Sequence, residues 1–153
     1  MVFCPFVLLF WPKTVFLNLN RGIIKNKIIV KEGIKMPTFY CYSRCSTCKK
    51  AEKWLNEHQV DFKKIDLVAT PPAASDLKRW ITANQDKGLR YFFNTSGQHY
   101  RQQGLKDKLA DMTIDQAAEL LAGDGKLIKR PLMVEGDHVT AGFKEPVYEA
   151  EWL

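Results

Sequence analysis

Cysteine, histidine and long apolar runs are scarce in this chain of 153 residues. The chain has three histidines and four cysteines, and four cysteines are too few for a disulfide-rich scaffold. The most apolar stretch, MVFCPFVLLFWP at the amino terminus, has about half of the roughly 20 residues that a membrane span needs. It also lacks the cationic start and the small-residue cleavage site of a signal peptide. These absences predict a protein of the reducing cytoplasm, without a membrane partner.

The formal net charge of +6 is concentrated near the amino terminus. Residues 1–35 carry six basic residues and one acidic residue, whereas the remainder carries 17 basic and 16 acidic residues. Strong binding to nucleic acid depends on Lys and Arg side chains that neutralise phosphates. A nearly neutral domain therefore argues against direct nucleic-acid binding.

A possible ribosome-binding sequence within the amino-terminal segment suggests that translation starts later in the chain. The residues KEG at 31–33 can be encoded by AAGGAGG, a bacterial ribosome-binding sequence, and Met36 follows after a short spacer. We therefore expect residues 1–35 to be a non-native or unstructured upstream extension, and 36–153 to be a single folded domain. Under this hypothesis Cys4 is not part of the protein.

Hydrophobic periodicity predicts an α/β domain. PTFYCY (37–42) and VDFKKIDL (60–67) have strand patterns, and CSTCKKAEKWLNEH between them has the pattern of an amphipathic helix. Such a unit predicts parallel strands joined by a right-handed crossover. PLMVEGDHVTAGF predicts two antiparallel strands around a turn at Gly136 and Asp137. EPVYEAEWL predicts a closing helix.

The middle of the chain is predicted to be helical. Thr70 is expected to cap a helix with prolines in its first turn. A loop is expected at 94–97, and Thr113 with Gln116 matches a capping box for a helix that ends at Gly123. The order of elements predicts a thioredoxin-like α/β fold, βαβ followed by ββα, with a helical insertion.

Several large or charged side chains of this domain have ordinary structural interpretations. The aromatic residues Trp54, Trp80, Phe92 and Phe93 are expected in or near the core. Arg90 and Arg101 are expected at the surface, with an anion site lined by the two as the alternative.

Cys45 and Cys48 form a C-x-x-C pair at the predicted junction of the first strand and first helix. A cysteine reacts as the thiolate, and a helix amino terminus favours the anion through its unpaired N–H groups and partial positive charge. Cys45 is predicted to lie at that terminus, beside Arg44, with Cys48 one turn further on and more enclosed. The pattern predicts that Cys45 attacks and Cys48 resolves the adduct as a disulfide. The alternative is a pair of ordinary half-buried cysteines.

The same segment allows a metal hypothesis, which we disfavour. Cys41, Cys45 and Cys48 have the C-x-x-x-C-x-x-C spacing of some iron–sulfur sites. Cys41, however, lies in the predicted strand, where side chains alternate between faces, so we expect it to point away from the pair. Zinc usually requires a second pair of ligands, and the histidines are scattered at no ligand spacing. No metal is expected.

Four segments in order, YSRCSTCKKAEKWL, FFNTSGQHYR, LIKRPLMV and AGFKE, resemble the ArsC/Spx family of arsenate-reductase-like proteins. The resemblance covers essentially all of 36–153 and implies the same thioredoxin-like fold. It implies that Cys45 is the reactive cysteine and Cys48 the second cysteine of the C-x-x-C members. Arg130 would face the reactive cysteine, and Pro131 would be the cis-proline of thioredoxin-like folds. A guanidinium stays charged and offers a planar fork to an oxyanion or thiolate.

The chain departs from the family's glutathione-coupled arsenate reductases around the substrate. Lys144 lies about where the family has another arginine, and Asn94 belongs to a loop that offers Asn, Thr and Ser instead of arginine. We expect both to be weak substrate-binding residues, because lysine cannot give bidentate recognition. Cys48 supplies an internal resolving thiol, so glutathione is not required for the first disulfide step. The resemblance implies no bound cofactor, with glutathione or thioredoxin as electron donor.

Two functions remain open at this point. The first is a thiol–disulfide oxidoreductase acting on a small oxyanion such as arsenate, or on a thiol or disulfide substrate. The second is an Spx-like redox-sensing transcriptional regulator that binds RNA polymerase. We favour the enzyme, but both functions would use the same cysteine pair.

Overall fold

Four strands form one mixed sheet in the computed structural model, which describes residues 36–153. Strand β1 (Thr38–Cys41) pairs in parallel with β2 (Lys63–Asp66) and antiparallel with β3 (Leu132–Glu135), and β3 pairs antiparallel with β4 (His138–Ala141). The sheet order is therefore β2-β1-β3-β4. This is the thioredoxin-like fold that the sequence predicts.

The helices follow the predicted order. They are α1 (Ser46–Glu57), α2 (Ala74–Ala83), α3 (Gln98–Gln102), α4 (Leu105–Lys108), α5 (Ile114–Gly123) and α6 (Glu145–Trp152), with short 3₁₀ turns at Gln85–Lys87, Leu89–Phe92 and Gly125–Leu127. Within 36–153 no helix has the length and apolar character that crossing a membrane requires. The expectation that 1–35 is an upstream extension concerns residues outside those described.

A side-chain cap accounts for the start of α5 but not for that of α2. Helix α5 starts with the predicted capping box, in which the Thr113 side chain accepts from the Gln116 N–H and the Gln116 side chain accepts from the Thr113 N–H. The prediction that Thr70 caps a helix is wrong, because α2 begins at Ala74 after an uncapped Ala73. With a cap at Thr70, Pro71 would be the first helical residue. Pro71 precedes Pro72, however, and a residue before proline is driven out of helical conformation.

The sheet separates two hydrophobic cores. Along β1, Phe39 and Cys41 face a core shared with α1 and α6, whereas Tyr40 packs against the core shared with α2 and α5. In β3, Met133 belongs to the first core and Leu132 to the second. Strand alternation thus serves two helical layers, as expected for an α/β sheet covered on both faces. Trp54, Trp80, Phe92 and Phe93 are buried, as predicted.

The turn between β3 and β4 is hydrogen-bonded to the helical insertion. Gly136, with φ 62°, occupies the predicted turn, and its carbonyl accepts from the Trp80 indole N–H at 3.0 Å. The amide of the buried Asn84 donates to the Asp137 carbonyl at 3.2 Å. These bonds hold α2 against the hairpin that carries the carboxyl-terminal side of the site.

Candidate functional site

The thiol of Cys45 lies at the start of α1. Cys45 is the N-cap residue, with extended backbone angles of φ −94° and ψ 117°. Its Sγ accepts a hydrogen bond from the Cys48 N–H at 3.4 Å, in the place where a Ser, Thr, Asp or Asn oxygen usually caps a helix. The unpaired N–H groups of the first turn and the helix dipole both favour a negative sulfur at this position.

The surroundings of Cys45 make its thiol more acidic. Burial alone raises the pKa of Cys45, but the hydrogen bonds from the Cys48 backbone and side chain, together with the hydrogen bond and charge of Arg130, more than offset it. The pKa of Cys45 therefore lies below the ordinary thiol value, which increases the thiolate fraction near neutral pH. Arg44, the neighbour in sequence, is exposed, and the charge that lowers the pKa of Cys45 comes from Arg130.

Cys48 has the opposite environment. It is 2% exposed, and burial, with a smaller contribution from the neighbouring Cys45, raises the pKa of Cys48 to about 12. The Tyr42 N–H donates to its Sγ at 3.5 Å, which offsets only part of this effect. Cys48 is thus an enclosed thiol, protonated near neutral pH, one helical turn from the more acidic, half-buried thiol of Cys45. The structure brings the two predicted residues together.

The prediction that Cys41 points away from this pair is wrong. Cys41 is buried in the same packed cluster as Cys48, with Cys45 at the margin of that cluster. Alternation does hold along β1, since Tyr40 takes the other face. The periodicity of a strand cannot say, however, which of its two faces the following helix covers. Burial raises the pKa of Cys41, so this third thiol stays protonated near neutral pH.

Arg130 is far from Cys45 in sequence, and backbone hydrogen bonds on either side of it hold it near Cys45. The Lys129 N–H donates to the Phe92 carbonyl at 2.8 Å, and the Gly142 N–H donates to the Pro131 carbonyl at 2.8 Å. The Arg130–Pro131 peptide bond is cis, the isomer that the resemblance implies. The Arg130 guanidinium lies close enough to Cys45 to lower the pKa of its thiol, and its central carbon lies 5.0 Å from the centre of the Tyr42 ring.

A cavity of about 520 Å³ opens beside Arg130, and neither Cys45 nor Cys48 is among its lining residues. Arg130, Lys144 and Asn94, predicted from separate segments, all line it, and Thr47 of the C-x-x-C segment does as well. Its lining residues include no Asp or Glu. In the part of the chain that the structure describes, neither Arg130 nor Lys144 forms a salt bridge. The cavity is therefore an electropositive pocket with unpaired cations, which suits an anionic ligand.

Comparison with known proteins agrees with this geometry. The model of the ArsC family matches residues 40–150. The chain belongs to the ArsC family. It is 48% identical over 115 residues to the uncharacterized protein YusI of Bacillus subtilis, covering 75% of this chain and 97% of that protein. The crystal structure of a possible arsenate reductase from Streptococcus mutans UA159 shares 48% identity and a TM-score of 0.68, covering 72% of this chain and 92% of that chain.

A regulator is also among the relatives of this ArsC-family chain. The global transcriptional regulator Spx of Enterococcus faecalis is 28% identical over 110 residues, which cover 72% of this chain and 81% of that protein. The family resemblance and the thioredoxin-like fold inferred from the sequence are thereby confirmed.

Sequence reasoning missed Lys129, Tyr91 and Gly142 in this ArsC-family site. Lys129 lines the cavity with its ammonium 5.0 Å from the Tyr91 ring centre, and burial, followed by the charge of Lys144, lowers the pKa of Lys129. Gly142 has φ 86°, and a Cβ built on it would lie 3.1 Å from Lys129 Cε. The adjacency of Lys129 to Arg130 in LIKRP was the available signal.

The histidines of this ArsC-family chain have local partners. Within 36–153, no three His, Cys, Asp or Glu side chains are grouped so that they could hold a metal ion. His58 stacks on Trp54 with ring centres 3.9 Å apart, His99 contacts Asp124, and His138 Nε2 lies 3.0 Å from Glu151 Oε2.

Proposed function

We propose that this protein is a thiol–disulfide oxidoreductase in which Cys45 is the nucleophile and Cys48 the resolving thiol. The observation that carries the proposal is the placement of two thiols within one helical turn, Cys45 at the N-cap with its sulfur accepting from the Cys48 N–H and Cys48 buried behind it. Lowering the pKa of Cys45 makes an attacking thiolate available, and raising that of Cys48 to about 12 keeps the second thiol in reserve.

With a disulfide substrate, two exchanges complete the reaction. The Cys45 thiolate attacks one substrate sulfur, so a Cys45–substrate disulfide forms, the substrate S–S bond breaks and the other half leaves as a thiolate. That thiolate takes up the Cys48 proton, and the Cys48 sulfur attacks Cys45. The internal disulfide forms and the second half leaves. The substrate gains two electrons from the cysteine pair, and a cellular thiol such as glutathione or thioredoxin then supplies two electrons that reduce the internal disulfide.

An oxyanion is the other substrate class that the cavity suits. For arsenate, Cys45 would form an S–As bond as one oxygen departs as water after protonation. Attack by Cys48 on the Cys45 sulfur would then release arsenite and leave the internal disulfide, so As(V) gains two electrons and two thiols are oxidised. The unpaired charges of Arg130, Lys129 and Lys144 around the cavity support an anionic substrate. The similarity to the Streptococcus mutans protein supports arsenate within this class.

The similarity to Spx supports a second candidate function. In that case oxidation of Cys45 and Cys48 to a disulfide would switch the affinity for RNA polymerase instead of completing a catalytic cycle. The same lowered pKa of Cys45 would set the sensitivity of the switch, so the thiol geometry is common to both candidates.

Turnover separates the two candidates. The full chain is assayed with arsenate and with a small disulfide, each with glutathione or thioredoxin as donor. The enzyme hypothesis expects repeated turnover that Cys45→Ser abolishes and Cys48→Ser reduces, with accumulation of a mixed disulfide on Cys45 in the second variant.

Cys41→Ala is the matched control, because it removes the third thiol of the same cluster. It should retain turnover. Absence of turnover with every donor, together with redox-dependent binding to purified RNA polymerase, would replace the enzyme by the regulator.

A further inference from the structure

The residues of one short segment, 90–95, are divided between two cavities. Tyr91 and Asn94 line the cavity beside Arg130, whereas Arg90 and Thr95 line a second cavity of about 360 Å³. Helices α3 and α4, with the glycine that joins them, supply the rest of the second lining. The two cavities share no lining residue.

The second cavity carries an excess of positive charge. Arg90, Arg101 and Lys106 line it and are exposed, against a single carboxylate from Asp107. None of the three cations forms a salt bridge with any residue of 36–153. Two guanidinium groups beside an ammonium are a donor set suited to phosphate, which accepts paired hydrogen bonds from the planar arginine fork.

Tyr100 provides an independent observation at the same place. It lines the cavity and is 4% exposed, with its ring packed edge-on against Phe93 at a centre-to-centre distance of 6.3 Å. Its hydroxyl is buried and has no hydrogen-bond partner among the described residues. Burying an unpaired hydroxyl costs stability, and nearly all such groups in folded proteins find a partner. The hydroxyl is closed to the cavity in this conformation, so a ligand oxygen would supply the missing acceptor after a small shift of the side chain.

We propose that this cavity binds the phosphate group of a small phosphorylated molecule. Arg101, Arg90 and Lys106 line the phosphate site, the Thr95 hydroxyl donates to a phosphate oxygen, and the Tyr100 hydroxyl does so after its side chain shifts. A volume of about 360 Å³ falls within the range of small-molecule sites and leaves space for an organic body beyond the phosphate. The proposal is independent of the thiol chemistry at Cys45.

Nuclear magnetic resonance titration of the ¹⁵N-labelled full chain tests the site. Ribose 5-phosphate, inorganic phosphate and ribose are added separately. The first two should give saturable shifts of the Thr95, Arg101 and Lys106 amide signals, and ribose should give none. Tighter binding of the ester than of inorganic phosphate assigns a phosphorylated metabolite, and equal binding assigns the free anion.

Variants then locate the ligand. Arg101→Gln should weaken binding by about tenfold, because a charge-assisted hydrogen bond is lost. Lys63→Gln removes the same charge from an exposed position outside the cavity and should leave the affinity nearly unchanged. Tyr100→Phe keeps the packed ring and should weaken binding about fivefold. It should not destabilise the free protein, since the unpaired hydroxyl is gone.

Three results would overturn the proposal. One is the absence of saturable shifts at millimolar ligand. Another is a set of shifts centred on Cys45 and Arg130, which would place the anion in the other cavity. The third is equal weakening by Lys63→Gln and Arg101→Gln, which would show that only overall charge matters. Loss of stability in Tyr100→Phe with unchanged affinity would mean that the hydroxyl is structural, and would remove it from the site.

Discussion

Two thiols separated by one helical turn differ in acidity because different atoms surround them. Cys45 sits where the chain enters α1, within reach of the Cys48 N–H and the Arg130 guanidinium. Cys48 points into the core between α1 and the sheet, where burial penalises its thiolate. Under the proposed function, an attacking thiolate and a protonated resolving thiol can therefore coexist within four residues.

Replacing Arg130 should make Cys45 less reactive. In Arg130→Gln the hydrogen bond and the positive charge that lower the pKa of Cys45 are lost, so that pKa rises. Because alkylation requires the thiolate, the midpoint of its pH profile should move to higher pH. The rate with iodoacetamide near neutral pH should fall roughly fivefold. The measurement is the alkylation rate of Cys45 across pH, followed by mass spectrometry.

Arg44→Gln is the matched control for that change. Arg44 adjoins Cys45 in sequence but is exposed, and the hydrogen bonds to the sulfur come from other residues. Its removal should leave the alkylation profile almost unmoved. An equal shift in both variants would show that general charge, not contact with Arg130, sets the acidity of Cys45.

At the scale of elements, side-chain caps define the start of α1 and of α5. Cys45 caps α1 with sulfur, which couples the reactive group to the first turn of the helix. Helix α5 has a complete capping box and packs against α2, so it contributes to the core of the insertion. Caps of this kind satisfy N–H groups that the helix itself leaves unpaired.

Removing the α5 cap should lower stability measurably. Thr113→Ala deletes the acceptor of the Gln116 N–H and should reduce the free energy of unfolding by about 1 kcal/mol in urea denaturation. Thr70→Ala is the comparison, since Thr70 lies in the loop before α2 and caps no helix. It should change the free energy by less than about 0.5 kcal/mol. Equal losses would contradict this assignment of caps.

At the scale of the molecule, the sheet packs against a hydrophobic core on each of its two faces. One core joins β1 and β3 to α1 and α6, and it contains Cys48. The other joins the same strands to α2 and α5, and it supports the segment that carries Asn94. The LIKRP segment contributes Leu127 and Ile128 to this second core, and its backbone bonds reach Phe92 and Gly142. The position of Arg130 is therefore a property of the whole fold.

A cavity created by mutation in the first core should lower the stability of the protein. Phe39 is completely buried on β1 and packs edge-on against Phe62 with ring centres 5.2 Å apart. Phe39→Ala should lower the free energy of unfolding by about 3–5 kcal/mol, measured by urea denaturation. Leu153→Ala, at a side chain that is 66% exposed, should change it by less than about 0.5 kcal/mol. Similar effects of the two changes would refute the assignment of this core.

The order of elements and the C-x-x-C pair at the strand-to-helix junction could be predicted from the amino-acid pattern alone. Periodicity, capping boxes and turn residues act within a few positions, so Thr113, Gln116 and Gly136 could be placed correctly. Thr70 could not, because its oxygen matched a cap while the two prolines beyond it forbade the helix to start there. Arg130, Lys144 and Asn94 came from the family resemblance, not from local pattern.

The face of β1 that receives α1, and hence the position of Cys41 in the same cluster as Cys48, depends on how the helices pack on the sheet. The same packing brings Lys129 and Arg130 to one cavity and Arg90 and Arg101 to another. One cause explains all of these cases. Neighbours far apart in sequence are brought together by the packing of helices on a sheet, and burial and unpaired charge are properties of that packing, which local sequence patterns do not encode.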